Sequence, residues 1–203
     1  MSGLKQSRLG GTVFLSYNIP MAWEIILIDW IGNLRNPLMD SLMSGLTYLG
    51  SESVIIVLAI LASFALIRIK KYNYLVALWI SLLGEELIVS LIKYLTERSR
   101  PEILTHLIQA DSFGFPSGHS SASVVFYGFM GYFLTQELKN RRAKIIAWII
   151  LSFIISAVGF SRIYLGVHWP TDVLAGYFVA FVWLTLVIYI FKNRDRVEPL
   201  LNN

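Results

Sequence analysis

Five apolar runs, each bounded by cations or turn residues, constrain this chain more than any other feature of its sequence. They cover residues 54–69, 74–92, 120–138, 145–160 and 173–191. With its flanking residues, each run approaches the roughly 20 residues that an α-helix needs to cross the hydrocarbon core of a bilayer. Within hydrocarbon each backbone N–H and C=O must find its partner inside the protein, and a segment of this kind does so as a helix. The expected fold is therefore all-α: a polytopic membrane helix bundle of five helices, or six if an N-terminal segment also crosses. A composition 56% apolar over 203 residues agrees. There is no internal repeat, low-complexity tract or Pro/Ser-rich linker, so one domain is expected over 1–203.

Cations give the bundle a direction. The connections at 68–71 and 139–144 and the tail at 192–196 fall at the same ends of alternating helices, and all are rich in Lys and Arg. By the positive-inside rule they are cytoplasmic, which puts 93–119 and 161–172 on the extracytoplasmic side. That side nevertheless holds Arg98, Arg100 and Arg162. Cations kept against the trend are explained by a bound anion. The formal charge of +4 includes no basic tract interleaved with aromatics, so a nucleic-acid partner is not expected. Cysteine is absent, which rules out a disulfide framework and a thiolate metal site.

The first fifty residues are harder to read. Residues 1–11 are polar and suit a disordered or surface-lying segment. Lys5 and Arg8 precede Tyr17, Asn18, Pro20, Glu24 and Asp29, a poor signal-peptide core, so this region is expected to remain in the mature protein. Residues 12–36 suit either a tilted span or an interfacial helix. A span would put Asn18, Pro20, Glu24 and Asp29 in hydrocarbon, at roughly 2.5–3.5 kcal/mol for a central Asp. Trp23 and Trp30 suit the interface equally well. Asn36-Pro37 breaks the chain, and 38–50 reads as a short amphipathic helix ending at Gly50.

Three polar segments lie at the ends of apolar runs, at one membrane level: Lys93 to Pro101, Pro116-Ser117-Gly118-His119, and Ser161-Arg162 through His168 to Asp172. Lys93, Arg100 and Arg162 supply positive charge, the guanidinium forks matching phosphate oxygens and the ammonium acting as a point charge. Ser117 and Gly118 precede a helix, where backbone N–H groups and the helix dipole favour an anion. Such a nest stabilises the charge on the equatorial oxygens of a phosphoryl group in its transition state. His168 stands four residues before Asp172, a spacing at which a carboxylate can fix the imidazole tautomer and leave the other nitrogen as nucleophile. His119, beside the nest, is placed to act as general acid and then as base. The nearby carboxylates Glu97, Glu102, Asp111 and Asp172 are scattered rather than spaced for two metals, so no metal or other cofactor is expected.

These segments resemble the three signature motifs of the type 2 phosphatidic acid phosphatase superfamily: Lys-x6-Arg-Pro, Pro-Ser-Gly-His and Ser-Arg-x5-His-x3-Asp. Every signature residue is present between Lys93 and Asp172, while 1–50 lies outside the resemblance. The resemblance implies His168 as nucleophile, Asp172 as its partner and His119 as acid/base. It implies Lys93, Arg100, Ser117, Gly118 and Arg162 as phosphate ligands. It further implies a membrane lipid phosphatase, with phosphatidylglycerophosphate, phosphatidate or undecaprenyl diphosphate as candidate substrates. A lipid-phosphate binding or transport protein using the same anion site is the alternative.

Other residues have two readings each. His106 reads as a solvated loop residue. Arg98 is a further phosphate ligand or, on the plainer reading, a solvated or headgroup-facing charge. Glu85 and Glu86 fall inside a span, where an ionisable group is a functional suspect, and a hydrogen bond to a neighbouring helix accounts for it equally. Glu52 orients Arg100 or caps the helix that follows. Trp169 packs, or lines the route of the substrate.

Overall fold

The structure, a computed structural model, describes residues 20–110 and 112–193. These form seven helices and no strand: α1 (Ala22–Gly32), α2 (Pro37–Tyr48), α3 (Glu52–Arg68), α4 (Tyr72–Thr96), α5 (Gly118–Glu137), α6 (Arg141–Tyr164) and α7 (Pro170–Lys192). Helices α3 to α7 coincide one to one with the five apolar runs. Taken singly, α4, α6 and α7 are long and apolar enough to cross a membrane, and α2 with α3 qualifies as one span bent by 47°. Helix α5 has the length but carries Ser120, Ser121, Ser123, Gly128 and Gly131, all turned into the protein. It is the central post, packed against α3, α4, α6 and α7.

Local sequence sets the helix ends. Asn36 caps α2 by accepting from the Met39 N–H at 3.0 Å, with Pro37 in the first turn, where its missing N–H costs nothing. Ser51 caps α3 through the Val54 N–H, and Asn140 caps α6 through those of Arg142 and Ala143. Glu97, left-handed at φ 45°, ends α4 and turns the chain into the 98–117 loop.

Small residues bring the helices together, as they must where lipid is as apolar as the side chains. Gly84 of α4 receives the Trp183 ring of α7, whose Nε1 donates to the Ser81 carbonyl at 2.9 Å. Such interhelical bonds average about 0.6 kcal/mol. A side chain at Gly176 of α7 would stand 2.7 Å from the Ser117 carbonyl, so the start of α5 lies directly on α7. The core between α3, α4, α5 and α7 is filled by Ile55, Ala59, Leu78, Phe126, Phe129 and Leu184.

The described part of 12–36 is α1, whose 11 residues rise about 16 Å, too short to cross a membrane alone. Residues 1–19, with the expected surface segment, lie outside the described residues. The α1–α2 hairpin is fastened across the end of α6. Arg35 donates from Nε and Nη2 to the Tyr164 carbonyl at 3.2 and 2.7 Å, and from Nη1 to that of Thr105 at 2.8 Å. The Tyr164 hydroxyl donates to Asp40 at 2.7 Å, while Ile31, Met43, Tyr164, Leu165 and Val167 form a second small core.

Candidate active site

Strand-like connections are not needed to gather the polar segments, because antiparallel helices do it: α4 and α6 end, and α5 and α7 begin, at one level. Lys93 is in the last turn of α4, Ser117 and Gly118 open α5, Arg162 is in the last turn of α6, and Asp172 is in the first turn of α7. His168 lies in the short connection from α6 to α7, whose bend is made at Gly166 with φ +79°. A side chain there would also meet Arg35 Nη2 at 2.9 Å.

At the centre, Arg100 donates from Nη1 to His168 Nε2 at 3.1 Å and to the Val167 carbonyl at 2.6 Å. Guanidinium has donors only, so Nε2 must accept and the ring proton belongs on Nδ1. Nδ1 faces Asp172 Oδ2 at 3.4 Å, and the same oxygen accepts from the Trp169 N–H at 2.9 Å. His168 is buried, and burial together with the charges of Arg100, Arg162 and Lys93 holds its imidazole well below its ordinary pKa, against a smaller opposing effect of the Gly114 backbone. The neutral ring, with its lone pair on Nε2, is the nucleophilic form.

The cations surround this nitrogen. Lys93 Nζ donates to Ser112 Oγ at 3.2 Å and to the Phe113 carbonyl at 3.0 Å. Arg100 reaches the same loop, Nε to the Ser112 carbonyl at 2.8 Å and Nη2 to its hydroxyl at 3.2 Å. Arg162 is 3% exposed; Nη1 donates to Thr47 Oγ1 at 2.8 Å, and Nε is the one buried side-chain nitrogen or oxygen among the described residues without a partner. Leaving such a group unpaired is costly, and an anion would satisfy it. A side chain at Gly118 would meet nothing within 4 Å, so the helix start there faces open space. His119 is half-buried in the same cluster, within electrostatic range of Arg162, His168, Lys93 and Arg100. Beside them a cleft of about 450 Å³ is lined by Ser90, Lys93, Tyr94, Arg98, Arg100 and Phe113, among others. Among the described residues no three His, Asp or Glu side chains are grouped as metal ligands.

All eight sequence-derived candidates thus lie around the same ends of the helices, with three corrections of detail. The Ser117 N–H is not available to an anion, because it donates to the Asp172 carbonyl at 3.0 Å; the Ser117 hydroxyl accepts from Ser120 Oγ at 2.9 Å, and the N–H groups of Gly118 and His119 begin the helix without an intrahelical acceptor. Arg98 is not a solvated charge. Its side chain is 13% exposed, and Nη1 donates to Asp172 Oδ1 at 2.7 Å. Trp169 is buried, donating from Nε1 to the Ser99 carbonyl at 3.2 Å, and so packs rather than lining a route.

Glu24, counted as a cost in hydrocarbon, is fully buried inside the protein and accepts from Arg98 and Thr171. Sequence reasoning missed Thr47, Ser112 and Thr171, which carry no motif signal. Glu85 is buried and accepts from Ser121 on α5, as the plainer reading had it; Glu86 is exposed and accepts from Ser90 on its own helix at 2.8 Å. His106 is exposed, with Nε2 at 2.6 Å from the Pro101 carbonyl, and Glu52 is exposed in the first turn of α3.

Residues 74–196 match the PAP2 superfamily. Phosphatidylglycerophosphatase B of Bacillus subtilis (strain 168) is 32% identical over 164 residues, covering 80% of this chain and 78% of that protein. Undecaprenyl-diphosphatase of Sulfolobus acidocaldarius is 29% identical over 200 residues, covering 95% and 86%. The crystal structure of a transmembrane PAP2 type phosphatidylglycerolphosphate phosphatase from Bacillus subtilis superposes with a TM-score of 0.80 at 29% identity, covering 85% of this chain and 86% of that one. The motifs, the helices that carry them and the family match leave one conclusion: this multi-pass membrane protein belongs to the PAP2 superfamily.

Proposed function

We propose that this lipid phosphatase of the PAP2 superfamily cleaves a phosphomonoester or diphosphate headgroup on the extracytoplasmic face of the cell membrane, through a phosphohistidine and without metal. The observation that carries the reading is the pairing of a buried Arg162 Nε that lacks an acceptor with a His168 Nε2 held unprotonated by Arg100. In the first step Nε2 attacks phosphorus and the bond from phosphorus to the lipid oxygen breaks. His119, which takes up a proton once the phosphate has offset the surrounding cations, gives it to the departing oxygen. In the second step His119 takes a proton from water, the water oxygen attacks phosphorus, and the bond to Nε2 breaks to release inorganic phosphate. Nδ1 keeps its proton throughout, and Asp172 stabilises the positive ring of the phosphohistidine. Lys93, Arg100, Arg162 and the N–H groups at the start of α5 hold the three phosphoryl oxygens, supplying the charge stabilisation that a metal supplies in other phosphatases.

Sidedness rests on the cations at the opposite end: Arg68, Lys70, Lys71, Lys139, Arg141, Arg142 and Lys192. The cleft beside α4, with exposed Ser90 and Tyr94 at its rim, gives a headgroup lateral access from the bilayer. The names of the relatives make phosphatidylglycerophosphate and undecaprenyl diphosphate the first substrates to test, with phosphatidate as comparison. Detergent-solubilised protein in EDTA is expected to release phosphate from one of these lipids. Activity that appears only on adding a divalent metal would contradict the metal-free step.

A further inference from the structure

We infer that Glu24 and Arg98 are positioning residues for the reaction: they fix the Asp172 carboxylate against His168, and so make the short helix α1 a working part of the active site. The inference rests on His168 being the nucleophile of a phosphatase, as proposed above. Arg98 divides its fork. Nη1 donates to Asp172 Oδ1 at 2.7 Å and to Thr171 Oγ1 at 2.6 Å, while Nη2 donates to Glu24 Oε2 at 3.3 Å. Glu24 Oε1 accepts from the Thr171 hydroxyl at 2.5 Å and from its N–H at 3.2 Å, and Oε2 also accepts from the Met21 N–H at 2.9 Å. Glu24, Arg98 and Thr171 therefore close a ring of hydrogen bonds. With Oδ1 of Asp172 taken by Arg98, Oδ2 is left turned toward the Trp169 N–H and His168 Nδ1.

The need for a second carboxylate follows from where Arg98 lies. It lines the same cleft as Lys93 and Arg100, so an incoming phosphate competes with Asp172 for its guanidinium. Glu24, fully buried and facing Nη2, holds the guanidinium back from the substrate. Without Glu24 the guanidinium can swing to the phosphate, strengthening binding while releasing Asp172. This separates the proposal from a merely structural role, because a disordered site does not bind its substrate better.

The test measures phosphate release from phosphatidylglycerophosphate and undecaprenyl diphosphate by the full-length protein, using Glu24→Gln, Arg98→Ala and Arg98→Lys. Loss of the outer partner that orients a metal-bound histidine typically costs 10–100-fold, and the same scale is expected for this partner of His168. The expected result is kcat lowered by roughly that factor in Glu24→Gln, with KM unchanged or lower. Arg98→Ala should lower kcat at similar KM, and Arg98→Lys should recover part of it. A second readout does not depend on turnover: the protein has three histidines, so 15N labelling of histidine resolves the Nδ1–H proton of His168. Arg100 keeps the proton on Nδ1 in every variant, but the Nδ1–H signal, drawn downfield by Asp172 in the wild type, should move upfield and exchange faster with water in Glu24→Gln and Arg98→Ala. Wild type without phosphatase activity would sink the functional reading, and the Nδ1–H comparison would still decide the positioning role. Variants with kcat within twofold of wild type, or with an unchanged His168 Nδ1–H signal, would overturn the inference.

Discussion

Arg100 places Nη1 3.1 Å from Nε2 of His168, so the cation assigned to the phosphate already rests on the nitrogen assigned to attack it. The contact fixes the lone pair on Nε2 before substrate arrives. In the proposed mechanism it is exchanged for a phosphoryl oxygen when the headgroup enters, which frees the nitrogen at the moment its target is in place. Lysine cannot bridge Nε2 and the Val167 carbonyl from a planar fork. Arg100→Lys is expected to lower kcat by roughly 10²–10³-fold, the usual cost of losing one donor aimed at developing charge. Steady-state kinetics on the best lipid substrate would check this.

The depressed His168 pKa gives a pH dependence with a definite sign. Burial and the charges of Arg100, Arg162 and Lys93 disfavour the imidazolium in the folded protein, whereas in the unfolded chain the ring titrates near its ordinary value of about 6.5. Below that value the unfolded chain binds the extra proton, so this residue's effect on stability turns unfavourable as pH falls through about 6.5. Thermal unfolding in detergent at pH 7.5 and 5.5 should show a smaller drop for His168→Asn than for wild type. In NMR titration the His168 ring should stay neutral at pH 6.

Thr47 lies on α2, outside every motif, yet among the described residues it is what holds Nη1 of Arg162. Hydrogen bonds to charged groups are worth about 1.5–3 kcal/mol, a factor of roughly 10–100 in an equilibrium constant. Thr47→Val keeps the shape and removes the oxygen. It is expected to weaken inhibition by inorganic phosphate by about that factor, read from competition assays, with the protein still folded.

The helices and motif residues were legible because their signals are local. Each run from 54–69 to 173–191 carries its own hydropathy, and each motif keeps its chemistry within a dozen residues, so Lys93 and Arg100, or His168 and Asp172, announce themselves by spacing. The support around them is non-local. Arg98 meets Asp172 across 74 residues, Arg162 meets Thr47 across 115, and Thr171 meets Glu24 across 147. No period or spacing links such pairs. Glu24 was read as a burden because a carboxylate in an apolar stretch looks lipid-exposed until α1 is seen to fold back over the 98–117 loop and the start of α7. The Ser117 N–H was read as free for a similar reason, since only the packing of α7 on α5 brings the Asp172 carbonyl to it.

The proposed mechanism requires His168 to carry the phosphoryl group. Rapid acid quench of wild-type protein turning over a 32P-labelled lipid phosphate substrate should trap label on the protein in a linkage that is stable to alkali and lost in acid on standing, the behaviour of a phosphoramidate. The label should map to the peptide containing His168 and be absent from His168→Ala. Hydrolysis by wild type with no trapped label, or turnover persisting in His168→Ala, would contradict it.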